Sequence, residues 1–249
     1  MTVDLKKLMA LSSAVQERTS KRPAEARKGV EAWKKQNIKA SAEATAVYLY
    51  DDIGDWGITA GDLVEVINQI TGNIDLHVNS NGGSVKDGIA MYNGIKNHPS
   101  YFRGVVDGFA ASAASVVILA CDRVEMEKAS RMMIHDAGIG GMYIEGNAKQ
   151  FRESVKEVEQ MADLLDDLSN MIAQIYVDKA GGSVTSWRSL MASDKWYTAE
   201  EAVEAGLADG LVGSTDTENK VVREATASVE LPTTWDVEGL RNALKGAFA

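Results

Sequence analysis

One serine in the sequence has neighbours that could turn its hydroxyl into a nucleophile. Ser112 follows Gly-Phe-Ala-Ala at 108–111, and an apolar run over 116–120 comes soon after it. The β-branched and aromatic segment 101–107 predicts a strand. A sharp turn from that strand into a helix would leave the hydroxyl at a helix N-terminus, where backbone N–H groups and the helix dipole favour developing negative charge. The alternative is a buried helix that uses Ala and Ser for tight packing.

A second junction of strand and helix contains two adjacent glycines. Residues 79–84 read Asn-Ser-Asn-Gly-Gly-Ser, between a predicted strand at 74–78 and a predicted helix at 85–97. Adjacent glycines let the backbone approach a ligand closely and direct N–H groups at an anion. A phosphate loop is one interpretation, although neither G-x-x-x-x-G-K-[ST] nor G-x-G-x-x-G is present. An oxyanion hole is the other.

A histidine falls at a third strand end. His135 follows the predicted strand at 132–134, so Gly83, Ser112 and His135 all lie where predicted strands finish. Ligands of parallel α/β sheets bind beyond the carboxyl ends of the strands. A neutral imidazole there could accept the serine proton and return it to a leaving amine. This coincidence favours a functional interpretation of the serine over a packing one.

The elements that would position these groups alternate between strand and helix. This alternation predicts an α/β fold with a largely parallel sheet. In the long predicted helix at 148–179, apolar residues recur every three or four positions, which fits an oligomer contact and a core face equally well. Gly-rich residues 138–143 predict a flexible, extended stretch before it. The predicted strands are 45–50, 74–78, 101–107, 123–127 and 132–134, and the predicted helices are 60–70 (capped by Thr59), 85–97 and 148–179, followed by a helical hairpin that contains 187–191 and 199–205.

Composition describes an ordinary globular chain. Its 249 residues are 45% hydrophobic and 25% charged, enough to bury a full core. No run approaches the ~20 apolar residues that cross a bilayer, and the N-terminus lacks the apolar region of a secretion signal. We therefore expect a cytoplasmic protein without membrane association. The single cysteine, Cys121, follows an apolar run and is expected in the core, and with three histidines and no clustered ligand spacing we expect neither a metal nor a cofactor.

Charge divides the chain. Residues 1–40 contain ten Lys/Arg and four acidic residues, a charge of +6, which leaves −16 on the rest of a chain with a net charge of −10. Small residues at 40–44 predict a linker between this basic extension and a domain over 41–213, and 214–249 form an acidic tail with a short terminal helix. The extension fits an interaction or processing arm, or a solvated helix. Nucleic-acid binding is disfavoured, because Trp33 is its only aromatic residue.

Four of these stretches, in this order, resemble the Clp protease proteolytic subunit family. They are 79–85, 108–113, 133–135, and Asp194 followed by 198–209, within a region of about 45–213. The resemblance implies a serine endopeptidase with a crotonase-like (ClpP-like) ββα spiral, in which a long handle helix joins stacked rings around a chamber. It also implies an extended peptide or protein substrate held by main-chain hydrogen bonds.

The family's functional residues can be carried onto matching positions. Ser112 resembles the nucleophile, His135 the general base and Asp194 the acid that orients the imidazole. The N–H groups of Gly83 and Ala113 resemble the oxyanion hole. The substrate would lie along a set of residues that flank these groups, namely Ser84, Val85, Gly138, Ile139, Gly140 and Gly141.

Within this family, the loop Asp-Asp-Ile-Gly-Asp-Trp-Gly at 51–57, the doubled Ala-Ala-Ser and the basic arm are most similar to the head maturation proteases of tailed phages. That branch implies a capsid or scaffold precursor as partner, in the host cytoplasm or the procapsid interior. Asn81 stands where the bacterial enzymes usually have Pro, Asp136 stands where Gln is common, and the interval from His135 to Asp194 is longer. No loop that docks an unfolding ATPase is recognisable, so dependence on such a partner stays open.

Two other functions remain as alternatives. A crotonase-type acyl-CoA enzyme could share the fold and the paired N–H groups, but it uses a carboxylate base and needs no Ser-His pair. A ring-forming assembly protein could keep the architecture without turnover. Labelling with a fluorophosphonate probe separates both from a serine protease.

Overall fold

Alternating apolar side chains in the strands build one face of a mixed sheet against the helices. The computed structural model describes Trp33 and residues 38–41, 43–140 and 146–215. The strands are β1 (Ile38–Ala40), β2 (Thr45–Leu49), β3 (Ile74–Ser80), β4 (Phe102–Ala111), β5 (Arg123–Met126), β6 (Arg131–Ile134), β7 (Lys195–Thr198) and β8 (Gly210–Leu211). The helices are α1 (Ala60–Ile67), α2 (Val85–Lys96), α3 (Ala113–Ile118), α4 (Ala148–Ala180), α5 (Val184–Met191) and α6 (Ala199–Glu204).

The sheet has a main path and a branch. The main path runs β1-β2-β3-β4-β5-β8, and β6 and β7 form the branch. Pairing is parallel except for β1 with β2 and β6 with β7. Strand β4 belongs to both parts, because 103–106 pair with β5 and 109–111 pair with β6. The predicted parallel α/β sheet is confirmed.

Local capping explains where several helices begin and end. Thr59 and Asp62 form the predicted capping box at the start of α1, which satisfies two otherwise free N–H groups. The helix ends at Ile67 rather than at residue 70, because the N–H groups of residues 69 and 70 bond to carbonyls three positions back, as in a 3₁₀ turn. Gly181, with a φ of 78°, follows the last residue of helix α4 and terminates it, as predicted.

Three further sequence-based predictions differ from the structure. The predicted linker at 40–44 includes the end of β1, and Ser41 closes a turn into β2 by donating to the carbonyl of Ala44. The predicted helical hairpin is interrupted by β7, which is too short to show a clear period. Strand β4 continues through Ala111, because its small residues pair with β6. Of the predicted basic extension, Trp33 is buried and donates its indole N–H to the carbonyl of Tyr48.

The apolar stripe of the long helix α4 divides into a buried part and an exposed part. Its C-terminal part is in the core, where Ile172, Ile175 and Tyr176 are buried. Its N-terminal part leaves large apolar side chains in solvent, among them Phe151, Val155, Val158 and Leu164. One end of the helix is therefore core, and the other is an uncovered apolar surface.

Two kinds of feature are absent from the described ranges. No helix in them is long and apolar enough to cross a membrane. No group of three His, Cys, Asp or Glu side chains in them is placed to hold a metal ion. Most of the basic extension, and the tail from residue 216, lie outside the described residues.

Candidate active site

Ser112 lies in a strained turn at the end of β4. Its φ of 54° and ψ of −126° fall in a region that costs a non-glycine residue about 1–3 kcal/mol. Among the described residues, Asp194 is the one other non-glycine residue with a positive φ. The N–H of Ser112 donates to the carbonyl of Met133, and α3 begins at the next residue. The predicted strand-to-helix turn is confirmed.

The imidazole of His135 meets the hydroxyl of Ser112. Strand β6 pairs with the second half of β4, so the residue after β6 comes close to the residue after β4. Nε2 of His135 lies 2.6 Å from Oγ of Ser112, which is a short hydrogen bond. A proton could therefore move directly from the alcohol to the imidazole.

Asp194 approaches the other ring nitrogen without bonding to it. Strand β7 pairs antiparallel with β6, and the register Ile134 to Lys195 sets Asp194 beside His135. Oδ1 of Asp194 is 3.8 Å from Nδ1 of His135, and the Asp194 side chain is 75% exposed. That distance permits electrostatic attraction but exceeds a hydrogen bond.

The N–H of Gly83 points away from Ile53, because both neighbours of Gly83 bond to the loop that contains Ile53. Ile53 donates to the carbonyl of Gly82 at 2.8 Å and accepts from the N–H of Ser84 at 2.8 Å. In a parallel bridge of this kind, the residue between the two bonded neighbours points its own N–H the other way. Gly83 lines the cavity at Ser112. A Cβ at this position would overlap the Ile53 carbonyl.

Ala113 has a second backbone N–H that could face the cavity beside Ser112. It is the first residue of α3, so its N–H has no acceptor within the helix. The loop before α2 passes very close to it: a Cβ on Gly82 would lie 2.7 Å from Cβ of Ser112 and 2.8 Å from the nitrogen of Ala113. Gly82 is therefore a site residue that sequence reasoning missed, although the pair of adjacent glycines was visible.

A cavity of about 290 Å³ opens beside the serine. Its wall is formed by α2, α3, α4 and the segment after His135. Most of the side chains on this wall are apolar, including Ile89, Val116, Ile172 and Tyr176. The cavity fits an uncharged side chain of a substrate better than a charged one.

The predicted substrate-binding residues divide into three groups. Val85, Gly138, Ile139 and Gly140 line the cavity. The side chain of Ser84 instead caps α2, where it accepts from the N–H of Asp87. Gly141 lies outside the described residues.

An ion-pair network anchors the segment after His135. Oδ1 of Asp136 accepts a 2.9 Å hydrogen bond from Nε of Arg188, and Nη2 of Arg188 donates to Oδ1 of Asp166 on α4. The next backbone N–H in the segment donates to Oγ of the buried Ser169. The contacts of Arg188 were not visible in the sequence, because the three elements that meet there are distant along the chain.

The remaining nucleophiles and bases have other contacts. Ser115 is fully buried. His77 bonds to Asp107, and Nδ1 of His98 accepts from a backbone N–H in its own loop. Cys121 is buried, as predicted, and burial raises the pKa of its thiol to about 12. None of these four side chains lines the cavity at Ser112.

Known proteins match both the sequence and the fold. The Clp protease family model matches residues 58–215. ATP-dependent Clp protease proteolytic subunit 3 of Streptomyces coelicolor is 34% identical over 147 residues, which cover 57% of this chain and 62% of the relative. Proteolytic subunit 1 of Chlamydia abortus is 35% identical over 139 residues, which cover 55% of this chain and 68% of the relative. The chain thus spans about two thirds of the length of these curated relatives.

A solved structure extends the match to the fold. A mutant of ClpP1 from Listeria monocytogenes superimposes with a TM-score of 0.55 at 20% sequence identity, over 77% of this chain and 97% of that one. The predicted ClpP-like α/β fold is confirmed. Because the family model matches more than half of the residues of this chain, the chain belongs to the Clp protease family.

Proposed function

We propose that this protein is a serine endopeptidase in which Ser112 is the nucleophile, His135 the general base and Asp194 the orienting carboxylate. The observation that carries the proposal is the 2.6 Å contact between Oγ of Ser112 and Nε2 of His135. That contact lies beside two backbone N–H groups and an apolar cavity, which is the set of parts that amide hydrolysis requires.

The proposed reaction follows from these positions. Oγ of Ser112 attacks the scissile carbonyl carbon while its proton moves to Nε2 of His135. The resulting oxyanion accepts from the N–H groups of Gly83 and Ala113, each worth on the order of 3–4 kcal/mol by analogy with other hydrolases. The imidazolium then gives its proton to the leaving amine, and the C–N bond breaks. A water molecule then attacks the acyl-enzyme in the same way, which releases the acyl product and frees Ser112.

The substrate is proposed to be an extended peptide with an uncharged side chain in the cavity. Val85 and residues 138–140 border that cavity, and extended segments there could pair with the substrate backbone. Main-chain pairing tolerates many sequences. Selectivity would therefore come from access and from the shape of the cavity.

Assembly into stacked rings is a further part of the proposal. The exposed apolar stripe on α4 supports it, because uncovered patches of this kind commonly mark association surfaces. Val155 is the most exposed large apolar residue of the stripe. Val155→Asp is expected to lower the sedimentation coefficient, and Glu159→Asp, on the same helix, serves as the control. Unchanged sedimentation in Val155→Asp would argue against a handle contact.

The more specific role proposed is head maturation, in which the protease cleaves scaffold or capsid precursor in the host cytoplasm or inside a procapsid. The 51–57 loop and the basic arm support it, and Trp56 in that loop is largely exposed. Intact-mass measurement of purified phage scaffolding proteins after incubation with the enzyme tests this role. Cleavage of unrelated unfolded proteins with the scaffolds left intact would contradict it.

The decisive experiment on catalysis is labelling with a fluorophosphonate probe, followed by mass mapping of the adduct. We expect one adduct, on Ser112, lost in Ser112→Ala and slowed in His135→Ala. Ser130→Ala is the control, since Ser130 is a buried serine at the opposite end of β6 from the site. An adduct elsewhere, or none in folded protein, would contradict the proposal.

The acyl-CoA alternative lacks support here, because Asp136, the one carboxylate among the described residues of the cavity wall, is paired with Arg188.

A further inference from the structure

The peptide unit between Ser112 and Ala113 carries one of the two proposed oxyanion donors. In a trans peptide the carbonyl and the N–H of one unit point in opposite directions. Whatever fixes the carbonyl of Ser112 therefore also fixes the direction of the Ala113 N–H. This carbonyl accepts two hydrogen bonds from Ser115, one from its backbone N–H at 2.9 Å and one from its hydroxyl at 2.6 Å.

The hydroxyl of Ser115 is itself held by a tyrosine. Oγ of Ser115 lies 2.8 Å from the hydroxyl of Tyr176 on α4. A serine hydroxyl has a single proton, and that proton is directed to the carbonyl of Ser112. The hydroxyl of Tyr176 must therefore be the donor to Ser115. Burial raises the pKa of Tyr176, so the phenol keeps this proton at neutral pH.

Both hydroxyls are shielded from solvent. Ser115 is fully buried and Tyr176 is almost so. The ring of Tyr176 forms part of the cavity wall, while its hydroxyl is bonded to Ser115. The peptide they hold follows a residue with φ 54° and ψ −126°, a conformation that persists only where surrounding contacts impose it.

We propose that Ser115 and Tyr176 form a relay of hydrogen bonds that holds the Ser112–Ala113 peptide in the orientation that stabilises the oxyanion. This inference rests on the proposed protease function and adds two positioning residues to it. Neither side chain touches the reacting atoms. Their effect passes from Tyr176 on α4, which forms part of the cavity wall, through the carbonyl of Ser112 to the N–H of Ala113.

The relay predicts a specific kinetic signature. Tyr176→Phe removes one oxygen atom and leaves the ring on the cavity wall, and Ser115→Ala removes the bond to the carbonyl. Each is expected to lower kcat for a peptide substrate by roughly tenfold, a fraction of the hundredfold or greater loss caused by deleting an oxyanion donor. KM is expected to change less than about twofold, because the ground state makes little use of the oxyanion site.

The experiment measures kcat, KM and the inhibition constant of a peptide aldehyde, whose adduct carries an oxyanion, for the wild type, both variants and the double variant. In each variant the affinity for the aldehyde is expected to fall by the same factor as kcat/KM. The double variant is expected to lose no more activity than the more impaired single variant. Ser130→Ala and Tyr92→Phe are the controls. Ser130 is a buried serine whose hydroxyl and N–H both donate to the carbonyl three residues back, the same local motif away from the site. All rates are divided by the folded fraction measured by circular dichroism.

The outcomes separate this inference from the function on which it rests. If the wild type neither labels nor turns over, the protease proposal and the relay both fail. If the wild type is active and Tyr176→Phe matches it in kcat and in aldehyde affinity, only the relay fails. A rise in KM at constant kcat would also overturn the relay, since it would assign Tyr176 to substrate binding instead.

Discussion

Two clusters in this molecule contain the same three functional groups, a hydroxyl, an imidazole and a carboxylate. The first, which we call the catalytic cluster after its proposed role, consists of Ser112, His135 and Asp194. The second, on the open face of the sheet, consists of Tyr50, His77 and Asp107. In the second cluster the carboxylate lies 2.8 Å from the imidazole and accepts a 2.6 Å hydrogen bond from the tyrosine. By bond length alone, it is the better-connected of the two.

The difference lies in the order of the groups. In the catalytic cluster the hydroxyl contacts the imidazole, and the carboxylate stands 3.8 Å behind it. In the second cluster both the hydroxyl and the imidazole direct their protons at the carboxylate. Burial and the hydrogen bond to Asp107 raise the pKa of the Tyr50 phenol, so this hydroxyl keeps its proton and is not activated as a nucleophile.

The surroundings differ as well. The catalytic cluster opens into a cavity, beside a strained backbone and two N–H groups. The second cluster lies on a sheet face where His77 stacks on Tyr48 and Arg103 bridges Asp75 and Glu125. Matching side chains are therefore insufficient for a site. Access, backbone donors and the sequence of proton partners distinguish the two.

The largest expected difference between the two clusters is in the loss of activity when the hydroxyl of each is removed. Ser112→Ala should lower peptide turnover by at least about a thousandfold, because the nucleophile is lost. Tyr50→Phe should leave turnover within about twofold. Steady-state peptide hydrolysis measures both. Comparable losses in the two variants would break the distinction between the clusters.

The next effect concerns the close backbone approach that only the catalytic cluster uses. Gly82→Ala places a Cβ 2.7 Å from that of Ser112, at a φ of +91°. We expect roughly a hundredfold loss of activity and about 2–3 kcal/mol of unfolding free energy. Gly72→Ala is the matched control, since Gly72 has a φ of +99° with nothing within 4 Å of its Cβ position.

Urea unfolding and acylation rates test this expectation. Gly72→Ala should show the backbone cost alone, with full activity per folded molecule. If Gly82→Ala behaves like Gly72→Ala, the tight packing at the serine has no catalytic importance.

Exchanging each carboxylate for an amide sharpens the comparison further. Asp194→Asn should lower kcat by roughly tenfold to a hundredfold, less than for a buried, bonded triad carboxylate, because Asp194 is largely exposed and 3.8 Å away. Asp107→Asn, despite its shorter bond, should leave kcat unchanged. A drop in kcat for Asp107→Asn alone would reverse the assignment of the two carboxylates.

The smallest effect is on stability in acid. Burial alone would raise the pKa of Asp107, but hydrogen bonds from His77 and Tyr50 hold it below its ordinary value. A lowered carboxyl pKa stabilises the fold above the unfolded pKa of about 4, and this stabilisation is lost as pH falls through the folded pKa. The contribution should be below about 1 kcal/mol, because the pair is partly exposed.

Urea unfolding of wild type and Asp107→Asn between about pH 2 and pH 7 measures this contribution. The free energy of unfolding should fall more steeply in the wild type below about pH 4. Parallel curves would show that Asp107 is not stabilised by its partners.

Much of the fold and the centre of the site could be predicted from sequence, because their signals are local. The turn at Ser112 follows from a strand, small residues and an apolar run that are contiguous. The position of Asp194 could not be derived in this way. It depends on β7, four residues long, whose pairing with β6 is a tertiary contact. The resemblance to a family supplied what periodicity could not.

The cavity floor was missed for a similar reason. Ile172 and Tyr176 lie one turn apart on α4 and look like any other members of an apolar stripe. Only the packing of α4 against α3 shows that this turn closes the cavity. Arg188 likewise gains its contacts from three elements that are far apart in sequence.

The burial of Cys121 has a practical consequence. It is the only cysteine in the chain, and with a thiol pKa of about 12 it remains protonated and shielded from alkylating reagents. A Ser112→Cys protein would thus present a single accessible thiol, set against the imidazole of His135. The rate at which iodoacetamide modifies that thiol, followed across pH, would measure how strongly the neighbouring ring draws off its proton, without a substrate having to be known.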